Sequence, residues 1–446
     1  MYSVDWAGLL TRPLRRASVG DVSADKTAPS NQAAGSIRGW LPAVSATVWA
    51  LGLTSFFTDV SSEMVASILP MYLVLQLGMR PVDFGIIDGL YQGVAALVRV
   101  AAGVLADRRG RHKEVATAGY ALSALCRPAL LAAGSAWTAI AGIVAIDRIG
   151  KGVRTAPRDA MISLSTPSRD LGTAFGVHRG LDAAGAMLGP LLAFLLLAAM
   201  PRRFDVLFAV SFAAALVGLG IIILCVNPAA EQSGAAAAPM SWRRALDVFR
   251  SPRFRAILIA GFVLGVPTIS DAFVFLSLQS RLQIGVSAFP LFYVGTSLFT
   301  AMFAVPFGRV ADRYGRTPVL LGGHVLLAIV YATLLVPQTS TILALVSLAL
   351  LGAYYAATDG VLTAMAAAVL APATTGTGLS LLATATNVSK LVASVVFGLM
   401  WTRVGIASAT GTYLAGLTLA VVGAAVLLTR TSSLPLSPDS RTRRES

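Results

Sequence analysis

The chain has 446 residues, of which 56% are hydrophobic and only 13% charged, with a formal net charge of +14 and a mean hydropathy of +0.75. A soluble domain of this length needs more polar surface, and the apolar residues come in long blocks, so the composition predicts a multi-span membrane protein. The basic excess sits between the blocks and at the chain ends rather than on one folded stripe, which excludes a nucleic-acid-binding role and fits cytoplasmic loops.

Residues 1–41 are polar, carry Arg12, Arg15, Arg16, Lys26 and Arg38, and lack an apolar core with a small-residue cleavage site. They are predicted as a disordered cytoplasmic tail, not a signal peptide. A crossing helix needs roughly 20 mostly apolar residues. That rule places helices near 43–76, 82–106, 115–134, 137–160, 170–199, 205–226, 255–280, 286–308, 318–336, 341–369, 376–401 and 405–429. The expected fold is therefore all-α and membrane-integral, with twelve transmembrane helices in two six-helix bundles, 42–226 and 255–430. The polar joint 227–254 is a cytoplasmic linker whose SWRRALDVFR segment reads as a short amphipathic surface helix. Residues 431–446 are predicted as a second disordered cytoplasmic tail. Joints after even-numbered spans hold Arg108, Arg109, Arg111, Lys113, Arg243, Arg244, Arg309, Arg313 and Arg316, whereas the opposite joints are sparse in basic residues. This bias puts both termini in the cytoplasm.

Ionisable groups at helix centres cost at least ~2.5–3.5 kcal/mol each on insertion scales, so each is a functional candidate. The first span carries Asp59 and Glu63, four apart and on one face, where two carboxylates can share a proton or hold a cation. The alternative is that each pairs with a structural arginine such as Arg99 or Arg127. The fourth span carries Asp147, Arg148, Lys151 and Arg154. Pairing of Asp147 with Lys151 would leave Arg148 for a carboxylate or phosphate; a bundle-holding salt bridge to Asp182 or Asp59 is the competing reading. In the fifth span, His178, Asp182, Gly185 and Gly189 share one stripe, which reads as a proton relay or as a polar contact continuing a glycine packing seam. Asp271, Asp359, Asn387 and Lys390 are the candidates in the second half, and His324 reads as structural. The cysteines Cys126 and Cys225 lie in apolar runs and read as packing residues. No metal-ligand spacing and no phosphate-binding glycine loop is present, so neither a metal, nor another cofactor, nor ATP drive is expected.

One charged phrase occurs twice, each time after a long apolar run: GVLADRRGR from Gly103 to Arg111, and GRVADRYGR from Gly308 to Arg316. Each copy falls at the joint after the second helix of a half. GTAFG from Gly172 and GTGLS from Gly376 echo one another in the same way. From about residue 42 to 430 the chain resembles the major facilitator superfamily, whose best-known signature is this phrase. The fourth-span stretch DRIGKG matches that superfamily's R-x-x-Q-G with Lys151 in place of glutamine, and DRIGKGVRTAPRDA is similar to a bacterial subgroup of it. The fifth span has the start of an antiporter-associated G-x-x-x-G-P pattern in Gly185, Gly189 and Pro190, without its trailing glycine pair.

The resemblance implies a central cavity lined by the first, fourth, seventh and tenth helices, hence Asp59, Arg148, Asp271 and Asp359, and alternating access by rocking of the halves. It gives the repeated phrase a role as a conformational latch. Gly103 and Gly308 would allow close helix approach. Asp107 and Asp312 would pair with arginine or a helix N-terminus, with Arg108, Gly110, Arg111, Arg313, Gly315 and Arg316 completing the two copies. The implied function is secondary transport of a small organic solute, read as proton-coupled efflux by a monomer in the bacterial inner membrane. Two alternatives stand: a proton-coupled importer of an organic anion using Arg148, Lys151 and Lys390, and a non-transporting membrane sensor. The expected partners are the solute, the proton and the lipid bilayer, and the protein is not expected to be an enzyme.

Overall fold

The computed structural model describes residues 44–109, 111–226, 248–282, 284–337, 340–371 and 374–432, without the side chains of 100–109 and 168. The predicted first tail, Gly110, most of the predicted linker helix and residues 433–446 of the predicted second tail lie outside the described residues, while 431 and 432 continue the last helix. Every regular element among the described residues is helical. The helices are α1 (Ala46–Met71), α2 (Pro81–Arg109), α3 (His112–Ala132), α4 (Trp137–Leu164), α5 (Leu171–Ala199) and α6 (Phe204–Cys225) in the first half. The second half has α7 (Pro252–Gly265), α8 (Asp271–Leu282), α9 (Pro290–Tyr314), α10 (Arg316–Leu335), α11 (Thr341–Val369) and α12 (Thr375–Ser432).

Local chemistry explains the boundaries. The Ser45 side chain accepts from the Val48 N–H at the start of α1, and Ser251 does the same for Phe254 at the start of α7, with Pro252 at its first position. Pro70 denies α1 one N–H, and the backbone widens into π turns over Tyr72–Gln76. Gly315 closes the α9–α10 corner at φ 96°, in the left-handed region open to glycine. Gly405, at φ 82°, bends α12 between the predicted spans 376–401 and 405–429.

The predicted continuous helix 255–280 is broken. Pro267 stops α7, residues 266–270 are non-helical or turn, and α8 restarts at Asp271. Tyr331 of α10 satisfies the freed backbone: the Ile269 N–H donates to its hydroxyl at 2.6 Å, and the hydroxyl donates to Pro267 O at 3.2 Å. Irregular backbone at membrane depth is tolerated where it is so paired or lines a cavity.

By length and apolar composition, seven helical stretches among the described residues can cross a membrane. α1 and α4 interrupt their apolar runs with polar and charged residues, the apolar run of α2 continues into the undescribed side chains 100–109, and the broken α7–α8 pair is too short on each side. The apolar residues pack into three cores. One draws on both halves, from Val60–Met79 and Phe204–Phe208 to Ile269–Leu278 and Phe397–Leu417. Two others stay within one half each: Val48, Tyr120, Ile162 and Ile222 in the first, and Phe254, Leu320, Val361 and Leu428 in the second. The halves are thus joined by apolar packing at one end and packed separately at the end where the described chain begins and finishes. At the joined end Phe84 of α2 meets Phe273 of α8 edge-on at 5.0 Å, and Phe273 meets Phe397 of α12 at 4.9 Å.

Candidate functional site

Two glycine seams set the helix spacing around the centre. In α5, a Cβ on Gly185 would lie 2.5 Å from Phe56 O, and one on Gly189 2.8 Å from Val60 O, so α5 lies against the backbone of α1. The predicted stripe His178, Asp182, Gly185, Gly189 is buried on that face, together with Pro190. A second seam joins the halves: Gly85, Gly89 and Gly93 of α2 pack on Ser394 and Leu391 of α12, and Gly398 packs on Pro81 O, where a Cβ would come within 2.5 Å. Small residues on facing helices permit this approach.

Between α1, α2, α5, α8, α9, α11 and α12 lies a cavity of about 450 Å³. Its volume falls in the range of small-molecule sites. The first half supplies Glu63, Asp88, Tyr91 and Gln92; the second supplies the helix break 268–270, Asp271, Tyr293, Thr296, Tyr355 and Lys390; alanines of α5 and α9 fill the rest. Asp271 opens α8 and accepts the Tyr355 hydroxyl at 2.5 Å. Asp88 is buried and accepts from Ser394 Oγ of α12 at 2.5 Å, a hydrogen bond from one half to the other. Asp88, Asp271 and Lys390 all line this one volume.

The other candidates are buried behind the first-half wall. Asp147 pairs with Arg127 of α3 at 3.2 Å and with its neighbour Arg148, whose guanidinium lies 4.0 Å from the centre of the Tyr91 ring. The expected use of Asp147 by Lys151, leaving Arg148 available, is therefore not what forms: the long Arg127 side chain reaches across and Arg148 folds onto the same carboxylate. Asp59 pairs with Arg154 at 3.8 Å and lies beside Asp182, which Arg158 approaches at 3.8 Å. Asp59 and Glu63 thus part company, one in this ionic cluster and one on the cavity. Its partner carboxylate is Asp182, from α5. Ser55 links the cluster, meeting His178 Nε2 at 3.0 Å, the Tyr120 hydroxyl at 3.3 Å and Arg158 at 3.2 Å. The half-buried Lys151 acts electrostatically on Asp59, Asp182 and Tyr91.

Of the nine predicted substrate or coupling candidates, Glu63, Asp271 and Lys390 line the cavity, and Asp59, Arg148, Lys151, His178, Asp182 and Asp359 do not. Asn387 turns back to Ala383 O and His324 to Leu320 O. Asp88, Tyr91, Thr296 and Tyr355 were not anticipated. Asp88 meets the same criterion as Asp59, an ionisable group inside an apolar run, and that signal was available in the sequence. In the repeated phrase, Gly103, Asp107 and Arg108 fall among the undescribed side chains. Gly308 faces open space rather than a neighbouring helix, Arg111 and Asp312 are exposed, Arg313 lies over Tyr314, and Arg316 donates to Ala364 O at 2.9 Å.

Comparison with known proteins agrees with this architecture. An uncharacterized MFS-type transporter of Methanocaldococcus jannaschii is 30% identical over 393 residues, covering 86% of this chain and 95% of its own. Among solved structures, the nucleoside transporter NupG superposes with a TM-score of 0.70 at 15% identity, covering 87% of this chain and 100% of that one. The peptide transporter POT in complex with sulfate gives 0.71 at 14% identity, covering 86% and 94%. At those identities the likeness shows the fold alone. The family model for the Major Facilitator Superfamily matches residues 51–296 and 272–445. With a matching model across most of its length and a full-length relative, this multi-pass membrane protein belongs to the Major Facilitator Superfamily, a family of transporters rather than enzymes.

Proposed function

We propose that the protein is a secondary active transporter that exports a small organic solute in exchange for protons, as a monomer of twelve spans in two six-helix bundles. The observation that carries this reading is the cavity walled by both halves and bordered, through Phe84 and Phe275, by the aromatic core that the halves share at one end. Separate cores at the other end leave room for the halves to part there, the geometry alternating access needs. The positive-inside bias supports assigning that parting end, where the described chain begins and finishes, to the cytoplasm of a bacterial inner membrane. The buried Asp59–Asp182 neighbourhood, with Arg154, Arg158, Lys151 and His178, supplies proton-carrying groups against the tight α1–α5 seam. Lys390 is the one member of the proposed cationic set on the cavity wall, which weakens the anion-importer alternative.

The test compares small molecules inside cells and in the medium between a strain lacking the protein and one overproducing it. Export predicts a compound retained inside the deletion strain and enriched in the overproducer's medium. A compound left in the medium by the deletion strain would reverse the direction. In the overproducer, Asp59→Asn and Asp182→Asn should each abolish gradient-driven export while the protein still reaches the membrane; full activity in both would remove them from proton coupling.

A further inference from the structure

The cavity's charge is one-sided. Among its described lining residues, the carboxylates Glu63, Asp88 and Asp271 face the single ammonium of Lys390. The arginines nearest the wall do not correct this, because Arg148 and Arg127 are committed to Asp147 behind Tyr91. Thr296, only 1% exposed, belongs to this wall, and its hydroxyl has no hydrogen-bond partner. Hydrogen bonds from Ser394 and Tyr355 satisfy single oxygens of Asp88 and Asp271 but leave the excess negative charge unbalanced, which is unfavourable at membrane depth unless a cation meets it. The remaining wall is uncharged: Tyr91, Tyr293, Phe84 and Phe275 supply rings, alanines of α5 and α9 supply small apolar surface, and Gln92, Ser270, Ser297 and Thr300 add neutral polar groups. Aromatic faces attract a desolvated cation, whereas an anion would meet like charge from three sides.

We propose that the cavity takes an organic cation, its charged nitrogen held between Asp88 of the first half and Asp271 of the second, and its apolar body laid against the tyrosine and phenylalanine rings. The inference rests on the reading of this cavity as a transporter's substrate site. It names the substrate class. Because one carboxylate comes from each half, the cation also ties the halves across their interface. Asp88 has a further tie, since the same carboxylate accepts from Ser394 on the α2–α12 seam.

The test uses the full chain in lipid nanodiscs, with ethidium as a flat aromatic monocation and fluorescein as an anion of similar size. Binding is followed by fluorescence anisotropy against empty nanodiscs. Saturable ethidium binding is expected, and none for fluorescein. Asp271→Asn should weaken ethidium binding tenfold or more, while Asp205→Asn, the same charge change at an exposed helix end, should leave it unchanged. Lys390→Gln should tighten ethidium binding several-fold, a gain that a misfolded variant does not give. Saturable fluorescein binding, wild-type affinity in Asp271→Asn, or weaker binding in Lys390→Gln would each overturn the cation site. Export of an anionic metabolite would overturn it too while leaving the transporter reading intact. Ethidium binding in the expected pattern, with no compound moved between cell and medium, would keep the site and sink the transporter reading.

Discussion

Asp147 is almost fully buried and stands between two arginines. Removing one partner of a buried pair leaves charge uncompensated and typically costs about 3–5 kcal/mol. Asp147→Ala should therefore lower the melting temperature of the purified protein sharply, because it strands Arg127 and Arg148 together; a thermal-shift assay reads this directly. An unchanged melting temperature would mean that water reaches the cluster. At this scale the sequence was informative about which residues matter and silent about who meets whom. Asp59, Asp182, Arg148 and Asp271 stand out because charge is rare in apolar runs. Their partners depend on how helices rotate about their axes, which a single chain leaves open. Arg127 lies on α3, in a run with no other feature to link it to Asp147 on α4.

The helix break in the second half is an element held by one side chain. Tyr331 both accepts from Ile269 N–H and donates to Pro267 O. Tyr331→Phe leaves both backbone groups unsatisfied in a buried setting, which typically costs about 1–3 kcal/mol. The same variant should weaken ligand binding, since residues 268–271 form part of the cavity wall; a thermal shift with and without ethidium separates the two effects. The glycine seam between α2 and α12 makes a second prediction. At Gly398 the obstacle to a Cβ is the Pro81 carbonyl, backbone that cannot turn aside. Gly398→Ala should wedge the seam and expose Met79, now 8% exposed in the shared core. With Cys126 and Cys225 replaced by serine, a Met79→Cys probe should react several-fold faster with an impermeant maleimide in the Gly398→Ala background. Gly308→Ala, which meets open space, should leave that labelling unchanged. Element positions were largely legible, because apolar blocks of spanning length are strong signals. The break was not, although GVPTISD held a proline and a row of small polar residues; in a membrane helix a proline alone is compatible with continuity, as Pro128, Pro157 and Pro190 demonstrate. What decides the matter at Pro267 is a tyrosine more than sixty residues away.

Across the whole molecule, the repeated phrase points to two related halves, while the conformation was not readable in the sequence. One sequence must serve every state of a moving protein, so the pattern of apolar residues cannot say which end is joined. In the structure both halves share a core at one end, which fits one state of the alternating access proposed above. Rocking to the opposite state would pull Phe84 away from Phe273, part Phe273's neighbours Phe397 and Trp401 from the first half, and open aromatic surface to water. Newly wetted apolar surface raises heat capacity. If this opening limits turnover, its activation enthalpy climbs with temperature, and a plot of log rate against reciprocal temperature steepens on warming instead of running straight. Phe273→Ala, with less surface to wet, should flatten that curve. The aromatic plug would then act as the transporter's thermal signature, setting how steeply its speed responds to warmth quite apart from what it carries.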